Sequence, residues 1–152
     1  MVSDIPFSAL PMPLPPERSA ADCRRVSVRS LSEVHPLTEQ FAADLATAGF
    51  PEKEIFGMRL AFEEALVNGI RHGNGGDPSK QVRVQYGVTP QQVLVSIEDE
   101  GPGFNPDAIP DPLAEENLDR PGGRGVYLMR CYMTWVQYND RGNAVTMCKK
   151  RN

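Results

Sequence analysis

The chain of 152 residues contains no apolar run long enough to cross a bilayer, so no membrane-spanning helix is expected. Its first residues, MVSDIPFSALPMPLPPERS, lack a basic start leading into a long apolar segment, and no secretory leader is expected either. Cysteine and histidine are scarce. Cys23, Cys131 and Cys148 are odd in number and scattered, which argues against a disulfide framework and suits a reduced cytoplasm. With only His35 and His72 beside them, no zinc-binding spacing exists. Positive charge is also short: a net charge of −4 speaks against a general nucleic-acid partner. No GxxxxGK[ST] motif is present, so a P-loop NTPase is not supported. No internal repeat is visible.

What remains is one domain with room for a sound core, expected over residues 23–152, behind a proline-rich tail at 1–22 expected to be extended or disordered. Val26 and Val28 alternate with polar residues and predict a first strand over Cys23–Ser30. A first helix follows from Ser32 or Glu33 to about Ala48, with Val34, Leu37, Phe41 and Leu45 as its apolar stripe and Gly49 as its stop. Gly73–Ser79 reads as a loop. Gln81–Val88 and Val93–Glu98 read as a hairpin with one buried face, and Thr134–Tyr138 and Ala144–Lys149 as a second hairpin. Between Glu98 and Arg120 lies an acidic stretch whose Asn105–Pro121 portion has no periodicity, the mark of a functional lid or disorder.

The most informative stretch is Leu60–Asn74, LAFEEALVNGIRHGN, within a helix expected from Glu52 to His72. Ile55, Met58, Phe62, Leu66, Gly69 and Ile70 share one side, while Leu60 and Val67 add apolar surface on a second. Gly57, Ala61, Glu64 and Asn68 form a narrow stripe against that background, with Glu64 and Asn68 one turn apart and pointing the same way. Such a pair on a solvated face would be only a local hydrogen bond. On a largely buried helix, polar groups require a partner or a ligand. A glutamate there can act as a base or orient a water, and an asparagine offers a neutral oxygen to a hard cation such as magnesium.

Two glycine-bearing segments flank the acidic stretch. Asp99 ends a strand and opens DEGPGF, where a carboxylate either forms an Asx turn or accepts a hydrogen bond from an exocyclic amine. GGRG at Gly122–Gly125 opens an apolar helical stretch; it is either a tight loop or a place where phosphate approaches backbone N–H groups at a helix N-terminus.

Taken in order, EALVN on a helix, DEGPGF after a strand and GGRGVYLM opening a helix resemble the GHKL (histidine kinase-like) family of ATP-binding domains. The likeness is greatest to its short stand-alone branch of anti-sigma factor serine kinases, and it spans about Val26 to Lys150. The resemblance implies an α/β (α+β) two-layer sandwich of the Bergerat type, a mixed, mostly antiparallel sheet with helices on one face. It implies ATP and Mg2+ as cofactors. By the same likeness Glu64 matches the general base, Asn68 the magnesium ligand and Asp99 the adenine reader. Gly101 and Gly103 match the glycines shaping that side of the pocket. Gly123 and Gly125 match the glycine box that closes over the phosphates, and Arg124, in the same loop, touches phosphate or lies exposed on the helix. The implied activity is a cytoplasmic serine/threonine protein kinase acting on a STAS-type anti-anti-sigma partner and sequestering a sigma factor, with no nucleic-acid or membrane partner. The alternatives are a non-catalytic ATP-binding partner-switching module and a simple ATPase. A homodimer through the first helix and its neighbours is also consistent with the family. Two departures stand out: Gly69, where the family often has alanine, and CYMTWVQY with Trp135, where it often has an acidic residue.

Overall fold

The computed structural model describes residues 23–102 and 123–151, without the side chains of 123–126. The expected tail at 1–22, the acidic lid and Gly103 lie outside the described residues. Strand β1 covers Cys23–Val28, and a 3-10 turn at Leu31–Glu33 leads into α1, Val34–Thr47. Then come α2, Glu52–Asn68, a π turn at Gly69–Gly73, and the strands β2, Val82–Val88, and β3, Gln92–Glu98. Helix α3, Gly123–Tyr132, precedes β4, Trp135–Tyr138, and β5, Ala144–Lys150.

The five strands form one sheet in the order β1-β2-β3-β5-β4. All four pairings are antiparallel, as the mostly antiparallel expectation required. Alternate residues Val82, Val84, Tyr86, Val93, Val95, Ile97, Val145 and Met147 share one core with the helices, which therefore pack on a single face. Among the described residues no helix is long and apolar enough to cross a membrane.

Val34, Leu37, Phe41 and Leu45 are all buried on α1, as their spacing predicts. The helix ends where Gly49 takes φ +90°, a conformation glycine reaches without steric cost. Phe41 stacks on Phe62 of α2 with ring centroids 4.2 Å apart, and Tyr86 of β2 meets both rings edge-on at 5.0 and 5.8 Å. Aromatic pairs of this kind contribute ~0.5–1.5 kcal/mol beyond their area burial. The Tyr86 hydroxyl donates to Asp44 Oδ2 at 2.6 Å, and Arg24 Nε of β1 donates to the same oxygen at 2.6 Å. One carboxylate on α1 thus ties two strands to the helical layer.

Three expectations change. The first strand stops at Val28, and Val26, on this edge strand, is 40% exposed. The β2–β3 hairpin is buried on both faces, with Leu94 2% and Ser96 0% exposed on the side away from the helices. Both residues lie in β3, the central strand of the sheet, flanked by β2 on one side and β5 on the other. The long helix does not run as α-helix to His72; it widens into the π turn after Asn68.

Phe62→Ala removes the ring that joins α1, α2 and β2. Unfolding free energy should fall by ~3–5 kcal/mol, read as a lower urea midpoint and a melting temperature down by roughly 10 °C. A loss below 1 kcal/mol would contradict this account of the core.

Candidate functional site

The polar end of α2 and the turn after β3 meet in space. Helix α2 begins after extended Pro51 and carries Gly57, Met58, Ala61, Phe62, Ala65 and Leu66 as buried residues. A side chain at Gly57 would collide with the ring of Tyr132, so glycine there lets α3 lie directly on α2. Tyr132 ends α3, and both helices rise ~1.5 Å per residue. Tyr132 is the last of the ten residues of α3, so the first turn of that helix lies ~13 Å along its axis from this contact. Gly123, Arg124 and Gly125 occupy that first turn, so they belong to the helix rather than to a preceding loop. Their N–H groups are of the kind left without intrahelical partners.

Glu64 is half-buried, and its carboxylate makes no hydrogen bond with described residues. Asn68 ends α2, and its Nδ2 is fully buried without a hydrogen-bond partner among the described residues. An orphaned buried amide is costly, ~1–3 kcal/mol, and an amide group can present either its nitrogen or its oxygen at that spot. Such a group fits a hard cation or a phosphate-bound water as its missing neighbour.

Beyond Asn68 the chain opens into a π turn in which Asn74 N–H reaches Gly69 O at 2.8 Å. Single π turns of this kind concentrate at functional sites. Here the turn brings Gly73 against Asp99. A Cβ on Gly73 would overlap the Asp99 carboxylate, and a Cβ on Gly101 would overlap the Gly73 carbonyl oxygen. Only two glycines allow these backbones so close. Asp99 Oδ1 accepts the Gly101 N–H at 2.8 Å. Asn143, in the β4–β5 connection, brackets the same residue: its carbonyl accepts the Asp99 N–H at 2.9 Å and its Nδ2 donates to Asp99 O at 3.0 Å. Arg141 Nη2 donates to Gly101 O at 3.3 Å.

Burial pushes the Asp99 carboxyl up to about 6, and the charge of Glu98 pushes the same way, against the Gly101 N–H and Arg141. An Asx turn and an acceptor for a ligand amine are therefore both present in one residue. One oxygen holds the turn and the other makes no hydrogen bond with described residues.

The structure brings Asp99 and Gly101 against Gly69 and Gly73, just past Asn68 at the end of α2, and sets Glu64 one turn back. Three residues of this cluster were not singled out from the sequence. Gly73 and Asn74 were read as loop, and Asn143 as a hairpin tip; only the HGN triplet directly after the apolar helix hinted at the first two. No cluster of three or more His, Cys, Asp or Glu side chains able to hold a metal exists among the described residues.

Residues 28–149 match the family of the histidine kinase-like ATPase domain. The chain belongs to this family. Its relatives include the serine-protein kinase RsbW of Bacillus subtilis (strain 168), 31% identical over 111 residues, or 68% of this chain and 69% of that protein. RsbW of Listeria innocua serovar 6a is 27% identical over 112 residues, covering 69% and 71%. That of Oceanobacillus iheyensis is 23% identical over 108 residues, covering 67% and 68%. The histidine kinase-like ATPase match takes in both the α2 stretch and the Asp99 turn.

Because the native Asp99 carboxyl binds its proton more tightly than the unfolded chain does, protonation stabilises the fold. That contribution is complete below 3.8 and is lost as pH rises through about 6. Unfolding free energy of the wild type, measured against Asp99→Asn, should therefore fall across this window. The drop should be on the order of 1–2 kcal/mol, below the ~3 kcal/mol of the full shift because the side chain keeps some water. A difference between the two proteins that stays constant with pH would rule out the buried-carboxyl account.

Proposed function

We propose that the protein is an ATP-dependent serine/threonine protein kinase of a sigma-factor switch. Its substrate would be a serine or threonine on a STAS-type antagonist, and its unphosphorylated target would free a sigma factor that this protein otherwise holds. The observation that carries the reading is Glu64 placed one helical turn before Asn68, whose buried Nδ2 has no hydrogen-bond partner among the described residues, within a domain related to serine-protein kinases. Asn68 would hold Mg2+, which when bound neutralises charge on the phosphates. Asp99 would accept the adenine amine, with Gly101 and Gly103 shaping that wall. The N–H groups of Gly123, Arg124 and Gly125 would face the phosphates at the positive end of α3.

In this reading the substrate Oγ attacks the γ-phosphorus, the bond from that phosphorus to the β,γ-bridging oxygen breaks, and the hydroxyl proton passes to Glu64. Phosphoserine or phosphothreonine and ADP result. The carboxylate's assistance should be worth ~10²–10⁴-fold. The remainder of the rate comes from positioning and fixed dipoles. A reducing cytoplasm suits the free thiols of Cys131 and Cys148.

Transfer of labelled γ-phosphate from ATP to candidate STAS proteins is the direct assay. Glu64→Gln should reduce transfer at least ~100-fold with ATP still bound. Undiminished transfer would remove Glu64 as base, and ATP binding without transfer to any partner would favour a non-catalytic switch module. Asn68→Ala should abolish the magnesium dependence of ATP affinity, followed by titration calorimetry with and without the cation. An unchanged magnesium response would displace the metal from Asn68.

A further inference from the structure

The described residues contain a second buried amide nitrogen without a hydrogen-bond partner, one that the proposed reaction does not use. Asn74 directly follows the π turn and is 5% exposed. Its Oδ1 accepts the Glu100 N–H at 2.7 Å. That bond fixes which way the amide faces, because a reversed amide would set two donors against each other. Nδ2 is then left buried without a partner. Holding the Glu100 N–H needs only an acceptor, so the donor is surplus to any clamping role and its burial is costly.

Neighbouring geometry indicates what the donor faces. Asn74 Oδ1 holds the N–H of Glu100, and Asp99 Oδ1 holds the next N–H along, that of Gly101. The two side chains therefore grip adjacent peptide groups of one tight turn. Each has a hydrogen-bonding group to spare: a donor on Asn74 and, on Asp99, an acceptor oxygen without a partner among the described residues. Gly73, directly before Asn74, is pressed against the Asp99 carboxylate, which sets the two side chains beside one another at this turn.

We infer that Asn74 reads the nucleobase together with Asp99. Its Nδ2 donates to a ring nitrogen of adenine, directly or through one ordered water, while Asp99 accepts from the exocyclic amine. The inference rests on the ATP-binding reading above. Adenine fits this donor–acceptor pair because its C6 amine is flanked on both sides by ring nitrogens, N1 and N7, with lone pairs in the base plane. Asn74 is thus a specificity residue of the base pocket and takes no part in phosphoryl transfer.

The test compares magnesium-dependent binding of ATP, 1-deaza-ATP and 7-deaza-ATP to the full chain and to Asn74→Asp, by titration calorimetry. Each analogue lacks one ring acceptor. Aspartate keeps the acceptor for the Glu100 N–H and lacks the donor. It also adds a carboxylate near Asp99, so the readout is the ratio of affinities within each protein. Wild type should bind one of the two analogues about 3- to 10-fold more weakly than ATP. Asn74→Asp should bind that analogue and ATP alike. Equal wild-type affinity for all three nucleotides overturns the inference and leaves the ATP reading standing. So does a deaza penalty that persists in Asn74→Asp. Absence of ATP binding by the wild type overturns both. Should Asn74→Asp fail to fold, Asn74→Ala, which removes the donor and the acceptor together, takes its place, and a deaza penalty that persists in it overturns the inference equally.

Discussion

The site depends on how closely two backbone segments approach. Gly73 at the end of the π turn and Gly101 after β3 touch at a distance that no side chain permits. Everything polar in the cluster follows from that contact. It sets the Asp99 carboxylate against the helix end, it lets Asn74 cross over to the Glu100 N–H, and it makes the wall on which Asp99 loses water. Glycine normally costs conformational entropy, and here that cost is met by geometry no other residue supplies.

Helix α2 joins the core to this contact. Its first half is held by Phe62 between Phe41 and Tyr86, and by Gly57 under the Tyr132 ring. Its second half carries Glu64 and Asn68 toward the Asp99 turn. Groups that must be positioned to fractions of an ångström are thereby mounted on an element fixed by packing on two sides. The partly buried carboxylate and the orphaned amide are tolerated because burial of Met58, Ala61, Phe62 and Leu66 on the same helix outweighs them.

Much of this was legible in the sequence. The apolar stripes of α1 and α2 and the alternation in β2, β3 and β5 follow from helix and strand periods, and each landed on the core. The Glu64–Asn68 pair and the Asp99 turn were legible because spacing within one element determines them. Other features are set by residues remote in the chain. The π turn answers to Asp99, some 30 positions on, and helical periodicity carries no trace of it. Asn143 meets Asp99 only once β5 pairs with β3. The exposure of Val26 was not legible, because alternation cannot distinguish an edge strand from a central one. Leu94 and Ser96 failed in the opposite sense, being buried on the face that alternation assigns to solvent.

The Asn143 bracket has a consequence for how the protein is made. Asp99 is held on both sides of its main chain by a residue that the ribosome adds 44 positions later. Helices α1 and α2 and the β2–β3 hairpin can form as they emerge, but the wall beside Asp99 stays open until the final hairpin pairs with β3. Synthesis therefore delivers a scaffold first and the finished Asp99 turn last. A chain stalled before Asn143 would lack both of the hydrogen bonds that hold the Asp99 main chain.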